Sequence, residues 1–244
     1  MKTFAALVCA ALALPIAAHA GPAGGLFAFV DETSDYRYQG ASNTDGKPAL
    51  QANLHYFRPD GWYAGLFASQ VDFKDPGRTS YELDWYGGKN LEFAGGRTEL
   101  KLQLMYTAFP DNRTFGPTYD FLTDQVALKH AWTKKLSTST LVAFVPEASY
   151  RSGKVWRVEG DADYALTPAL TLKAQLGDQW GGRGHTRAYW SLGGAWRWKS
   201  LGFELKYVDT DRTRANCNPF LPRTCDPAVV ATVTAYLPPL MFKP

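Results

Sequence analysis

From Trp156 to Tyr164 apolar and polar side chains alternate one for one. Trp156, Val158, Gly160, Ala162 and Tyr164 share one face, and Arg157, Glu159, Asp161 and Asp163 share the other. Successive side chains of a strand point to opposite faces, so this segment has two faces that want different solvents. The period of two recurs. Leu50, Ala52, Leu54 and Tyr56 oppose Gln51, Asn53 and His55; Leu100, Leu102, Leu104 and Tyr106 oppose Lys101 and Gln103; Leu170, Leu172, Ala174 and Leu176 oppose Thr171, Lys173 and Gln175. Ala188, Trp190, Leu192, Gly194, Trp196 and Trp198 oppose Arg187, Ser191 and Arg197, and Leu201, Phe203, Leu205 and Tyr207 oppose Glu204 and Lys206. No long segment holds a helical period, so the pattern predicts an all-β protein. It predicts about twelve strands, over 25–38, 48–58, 62–73, 79–88, 97–108, 119–132, 138–146, 154–165, 169–177, 186–198, 201–209 and 228–237.

A soluble sandwich or a lipocalin-like barrel also alternates, so the connections have to choose between architectures. The even-to-odd links are tight: Pro59-Asp60-Gly61, Thr133 to Ser137, Leu166 to Pro168, Lys199-Ser200. The odd-to-even links are longer: Gln39 to Lys47, Lys74 to Arg78, Phe109 to Thr118, Pro146 to Gly153, Asp178 to His185, Thr210 to Pro227. The link from Lys89 to Gly96 alone breaks the rule. One rim of turns and one rim of loops is the asymmetry of outer-membrane barrels, whose turns face the periplasm. The expected fold is therefore a closed antiparallel up-and-down transmembrane β-barrel. Closure removes the sheet edges that hydrocarbon does not tolerate.

The beginning of the chain fits export. Lys2, an apolar run from Phe4 to Ala18 and the small-x-small end Ala18-His19-Ala20 read as a signal peptide over 1–20, leaving one barrel domain over 21–244. The formal charge of +3 falls to +2 without Lys2, which offers no basic field for nucleic acid. Cys9 leaves with the signal, and the remaining pair, Cys217 and Cys225, is expected to form a disulfide in the longest outward loop, as suits an exported chain. Aromatics make up 14% of the residues. Trp62, Tyr63, Trp85, Tyr86, Trp156, Tyr164, Trp190, Trp196, Trp198 and Tyr207 would serve as interfacial girdles.

From Ser34 the chain reads SDYRYQGASNTDGKPALQANLHYFRPDGWYAGLFASQVDF, followed by YELDWYGG from Tyr81. This resembles the TorF family of porin-like proteobacterial proteins, with its SDYxxxG, PAxQ, GxYAGxxxSxVDF and ELDxYxG series. The likeness is carried by Ser34, Asp35, Tyr36, Gly40, Pro48, Ala49, Gln51, Gly61, Tyr63, Ala64, Gly65, Ser69, Val71, Asp72, Phe73, Glu82, Leu83, Asp84, Tyr86 and Gly88. It covers the first third of the mature chain and implies a Gram-negative outer-membrane location with solute passage. Gln39 stands where the family usually has Arg, and the ending YLPPLMFKP replaces the usual strand-final aromatic that the barrel-assembly machinery recognises.

The polar faces supply the candidate chemistry. Glu82 and Asp84, two apart on one strand, Arg157, Glu159, Asp161 and Asp163 on another, and Lys173, Arg187, Arg197, Glu204 and Lys206 are the expected pore-lining residues. They would either attract ions or pair across the bore and hold it together. Mixed signs imply weak ion selectivity. The expected partners are outer-membrane lipid, small hydrophilic solutes or ions, and the assembly machinery during biogenesis. Two further readings stay open: a plugged structural or adhesion barrel with loop 210–227 as its contact, and a lipid-acting enzyme using His55, His130 or His185 with a serine. The sequence has no GxSxG elbow, P-loop, GxGxxG or metal-ligand cluster, and the WGGRG of 180–184 reads as a turn. Neither enzyme activity nor a cofactor is expected.

Overall fold

The computed structural model describes residues 24–113, 119–217 and 222–241. The expected signal peptide lies outside the described residues. Twelve long strands run β1 Gly25–Thr33, β2 Ala49–Phe57, β3 Trp62–Gln70, β4 Tyr81–Phe93, β5 Thr98–Ala108, β6 Phe121–Ala131, β7 Leu136–Val145, β8 Val155–Ala165, β9 Leu170–Gly181, β10 Arg187–Trp198, β11 Leu201–Thr210 and β12 Ala228–Tyr236. Each pairs antiparallel with its sequence neighbours, and β12 returns to β1 through Phe29↔Tyr236 to Thr33↔Thr232, which closes the barrel. That seam engages only the upper part of β1. Below it Leu240–Met241 adds to Gly25–Leu26, so the tail after Pro238-Pro239 covers the rest of the β1 edge as a short extra strand.

The strand count and the rule of turns and loops agree with the sequence pattern, and the apparent exception disappears. β4 continues to Phe93 instead of stopping near 88, so its link to β5 is the tight turn 94–97. The alternation weakens there because Lys89, Asn90 and Glu92 lie near the rim, where both faces meet polar surroundings. β9 likewise runs on to Gly181 and shortens the next loop to 182–186. At the turn rim Gly61 has φ 88°, and a Cβ there would lie 2.4 Å from the Asn90 carbonyl oxygen, so only glycine lets this turn pack on β4.

The faces are inverted relative to a soluble protein. Leu54, Leu104, Val126, Val158, Leu176, Leu192 and Leu205 point outward at mid-height, with Leu176 67% and Leu192 60% exposed. Tyr81, Tyr106, Trp156, Trp180, Trp190 and Tyr207 ring the barrel near the loop end, and Tyr56, Trp62, Phe93, Trp132, Tyr164, Trp196 and Trp198 ring it near the turn end. Soluble proteins rarely expose apolar patches beyond a few hundred Å², and this band encircles the molecule. Two of the residues expected in the girdles, Tyr63 and Tyr86, instead face the interior, because adjacent residues on one strand cannot both point outward and Trp62 and Trp85 take that side.

The interior tyrosines have sockets. Tyr86 lies over Gly65, Tyr63 over Gly88 and Tyr189 over Gly177, each pair directly opposed in the ladder, and a Cβ at any of these glycines would come within 2.2–2.6 Å of the tyrosine side chain above it. Small residues under large ones let a twelve-strand bore be filled without spreading the strands. Around Tyr63 and Tyr86 the wall of β2 to β6 carries an apolar cluster with Tyr36, Phe67, Met105, Phe109 and Phe121.

Candidate functional site: the lumen and its inward hairpin

The first strand was expected to reach residue 38. It ends at Thr33, and the link 34–48 folds into the bore as a small hairpin, Arg37–Tyr38 against Ala41–Ser42. Gln39 and Gly40 form its two-residue turn with φ 50° and 80°, the positive values a type I′ turn requires. Gly40 packs against β11: a Cβ there would sit 2.5 Å from the Asp209 carbonyl oxygen. Asp35 holds the base of the hairpin together, accepting from Arg37 Nε at 2.6 Å, Ser42 Oγ at 2.5 Å and Thr44 Oγ1 at 3.1 Å.

Hydrogen bonds tie the hairpin to opposite sides of the barrel. Tyr36 Oη donates to Glu82 Oε1 on β4 at 3.0 Å, and Gln39 Nε2 donates to Gln179 Oε1 on β9 at 2.8 Å. The guanidinium of Arg157 on β8 donates to Tyr38 Oη and lies 5.4 Å from its ring centre. Beside it Tyr189 Oη donates to Glu159 Oε2 at 2.6 Å. Arg37 Nη1 donates to the Asp226 carbonyl at 2.6 Å, linking the hairpin to loop 211–227, where Cys217 and Cys225 form the expected disulfide.

Glu82, Asp84, Arg157 and Glu159 are buried in the upper lumen, and the hairpin stands between the β4 carboxylates and the β8 pair. Arg187 is half-buried at the loop end of β10. Asp161, Asp163, Lys173, Glu204 and Lys206 are grouped in the lower lumen. There Glu204 accepts from Lys173 at 2.6 Å and Lys206 at 3.0 Å, and Asp161 accepts from Ser139 at 2.9 Å and Gln175 at 3.0 Å. Arg197 sits apart, exposed at the turn rim, with its guanidinium 3.7 Å from the centre of the Tyr236 ring.

A cavity persists between the hairpin and the wall formed by β11, β12 and β1. Asp35, Tyr36 and Arg37 bound it on the hairpin side and Phe29, Asp31, Lys206, Thr232, Thr234 and Tyr236 on the wall side. A second, smaller cavity in the lower lumen, bounded by Asp161, Asp163, Lys173 and Gln175, borders the same Glu204 and Lys206. Asp31, Thr232, Thr234 and the hairpin residues were absent from the expected lining. Asp31 belongs to an alternating strand and was within reach of the pattern; the hairpin was legible only as the turn dipeptide Gln39-Gly40 inside DYRYQGAS.

The histidines take local roles. His55 faces the lumen stacked near Phe29 and Phe57, with Nδ1 2.6 Å from Tyr86 Oη. His130 pairs through Nδ1 with Thr98 Oγ1 at 2.8 Å near the turn rim. His185 Nε2 lies 2.7 Å from Ser152 Oγ and, with Arg183 N donating to the Ser152 carbonyl, ties two outer loops together. Among the described residues no group of three or more His, Cys, Asp or Glu could hold a metal ion.

On the outer rim, partial burial pushes the Asp72 carboxyl up, but hydrogen bonds from Lys74 and Lys47 outweigh it and hold the carboxyl below its usual range. Asp226 is also held low, chiefly by its hydrogen bonds with Arg214.

A closed barrel with an apolar exterior, a charged interior and one loop turned into the bore defines a porin-like β-barrel. The chain belongs to the family described as bacterial protein of unknown function (Gcw_chp), whose model matches residues 18–237. No curated protein matches it. Among solved structures the KdgM porin is similar with a TM-score of 0.57 over 89% of this chain and 99% of that one, at 7% identity. The KdgM porin in complex with disordered oligogalacturonate gives 0.56 over the same shares at 8% identity. A structure from a study of the in-meso crystallization of membrane proteins gives 0.53 over 88% of this chain and 83% of that one, at 10% identity. At such identities the likeness is one of fold.

Proposed function

We propose that the protein is an outer-membrane channel, exported by a signal peptide removed after Ala20, through which small hydrophilic solutes or ions pass beside the inward hairpin. The observation that carries this reading is the cavity left between the hairpin and β11, β12 and β1, inside a barrel whose outer band suits hydrocarbon. The TorF-like motif series supports the same reading, since Asp35, Tyr36 and Gly40 build the hairpin and Glu82 receives it. On this reading the protein is not an enzyme, and the lining is Glu82, Asp84, Arg157, Glu159, Asp161, Asp163, Lys173, Arg187, Glu204 and Lys206, with Arg197 at the periplasmic mouth.

A plugged structural barrel is the second reading, favoured by the hairpin's hydrogen bonds to β4, β8 and β9. Single-channel recording of the refolded protein in a planar bilayer separates the two. A channel gives discrete ohmic steps that grow in Tyr36→Ala/Gln39→Ala, where the hairpin loses its bonds to β4 and β9. A heat-modifiable barrel that never conducts is a plug. Lipid turnover lost on Ser152→Ala or His185→Ala would replace both readings with an enzyme.

A further inference from the structure

Where the hairpin meets β4, buried oxygens outnumber the donors that reach them. We propose that Glu82, Asp84 and Asn43 bind a calcium ion, which clamps the inward hairpin to β4. The inference holds for a channel and for a plugged barrel alike.

Glu82 and Asp84 lie two apart on β4, so both carboxylates project from one face into the lumen, and each is only 1% exposed. Asn43, just past the hairpin's second limb, is equally buried, with Nδ2 3.5 Å from Glu82 Oε2. Its backbone is fixed from two sides: its N–H donates to the Tyr36 carbonyl at 2.7 Å, and its carbonyl accepts from Asp72 N at 2.6 Å. Tyr36 Oη donates to Glu82 Oε1 at 3.0 Å, which orients that carboxylate from behind as an outer partner orients a metal ligand.

Three oxygens at this place lack a donor. Among the described residues Asp84 Oδ1, Asp84 Oδ2 and Asn43 Oδ1 accept no hydrogen bond. Thr107, opposite Asp84 in the ladder, brings a hydroxyl close without meeting hydrogen-bond geometry. A carboxylate that loses its hydration and gains neither donor nor counter-charge is strongly disfavoured. The cations near the hairpin are engaged elsewhere, Arg37 with Asp35 at 2.6 Å and Arg157 with Tyr38 on the hairpin's other side. A metal ion between β4 and Asn43 satisfies all three oxygens together.

The chemistry and spacing of the set select the ion. Every ligand is a hard oxygen, two carboxylates balance a divalent charge, and water supplies the remaining positions. The set is distinct from the groups of three His, Cys, Asp or Glu that the described residues lack, because its third member is an amide. At 3.5 Å the contact between Asn43 and Glu82 is at the outer limit of a hydrogen bond, and turning the amide over puts Oδ1 in the place of Nδ2. Two oxygens at right angles around calcium lie roughly 3.3–3.7 Å apart, whereas around magnesium they lie roughly 2.8–3.0 Å apart. The observed separation suits the larger ion.

Calorimetric titration of the refolded barrel with CaCl2 tests this, in nonionic detergent so that no anionic lipid binds the ion, alongside thermal melts in calcium and in EDTA. Half-saturation is expected at about 0.1–1 mM, the weak end of calcium sites, because the ligands carry few charges, and magnesium should bind at least about tenfold more weakly. Asp84→Asn should weaken calcium binding tenfold or more, yet raise the melting temperature in EDTA, because a neutral amide of the same shape replaces the carboxylate. Asn43→Asp should act with opposite signs, binding calcium several-fold tighter and melting lower in EDTA. A merely structural residue would not give this reversal. Asp72→Asn, whose carboxylate already has Lys47 and Lys74, should leave calcium binding nearly unchanged. No binding to the unaltered barrel up to roughly 10 mM CaCl2, beyond the range of calcium sites, overturns the inference, as does binding that survives Asp84→Asn. If Asp84→Asn stabilises the barrel in EDTA while calcium binds neither protein, a proton neutralises Asp84 and the metal site falls.

Discussion

A cationic side chain at Leu192 tests the inverted barrel directly. Leu192 lies midway along β10 and is 60% exposed on the outer face. At ~3.3 Å per residue and a ~40° tilt it stands ~13 Å from either end of the strand, near the midplane of the apolar band. Arginine at that depth costs about 2–4 kcal/mol, against roughly 0–1 kcal/mol near an interface. Leu192→Arg should therefore lower the folding equilibrium constant in lipid vesicles by roughly 30- to 1000-fold, since 1.4 kcal/mol is a factor of ten. Trp198→Arg, on the same face at the turn rim, is the internal control and should cost roughly 1 kcal/mol beyond the loss of its ring. Urea titrations of refolding into vesicles, followed by tryptophan fluorescence, give both numbers. Equal costs at the two positions would refute the reasoning, because the outer face would then have no depth, as expected of a protein surrounded by water.

The remaining expectations concern the interior and the outer rim. Gly177→Ala places a Cβ 2.2 Å from the Tyr189 ring, pushes its hydroxyl off Glu159 and should destabilise the barrel by about 1–3 kcal/mol, seen as a lower temperature of the heat-modifiable gel shift; an unchanged shift would deny the socket. Cys217→Ser/Cys225→Ser opens a loop whose ends are 8 residues apart, for which chain entropy gives about 2–3 kcal/mol; the loss should show as faster protease cleavage of loop 211–227 with the barrel transition nearly unmoved. Asp72 is held below its ordinary carboxylate value, so the contribution of its pairs with Lys74 and Lys47 is complete above about pH 4 and lost as pH falls through the lower folded value. Nicking of loop 71–80 should rise on that acid side in the unaltered protein, and Asp72→Asn should nick at one elevated rate across the range.

Much of the architecture is written in local pattern. The outward and inward faces of β8 follow from the alternation of Trp156 to Tyr164, because side-chain direction in a strand has a period of two and needs no knowledge of the neighbours. The rims follow from link lengths, and the disulfide from two cysteines left in one loop. Paired aromatics were harder to read: Trp62-Tyr63 and Trp85-Tyr86 each carry a ring to both sides, and hydrophobicity does not say which ring meets lipid. The answer lies in Gly65 and Gly88, whose missing side chains sit under Tyr86 and Tyr63 only once the strands are in register.

The site needed the closed barrel. Tyr36, Tyr38 and Gln39 continue the alternation of β1 closely enough to extend it on paper, yet their hydrogen-bond partners are Glu82, Arg157 and Gln179, on three strands distant in the chain. A buried hydroxyl or amide takes its place where its bond is made, and no window along the sequence holds both partners. The alternation by itself determined a two-faced sheet and its count of strands. Whether its bore stays open, and along which wall, was decided by contacts that exist only after β12 has met β1.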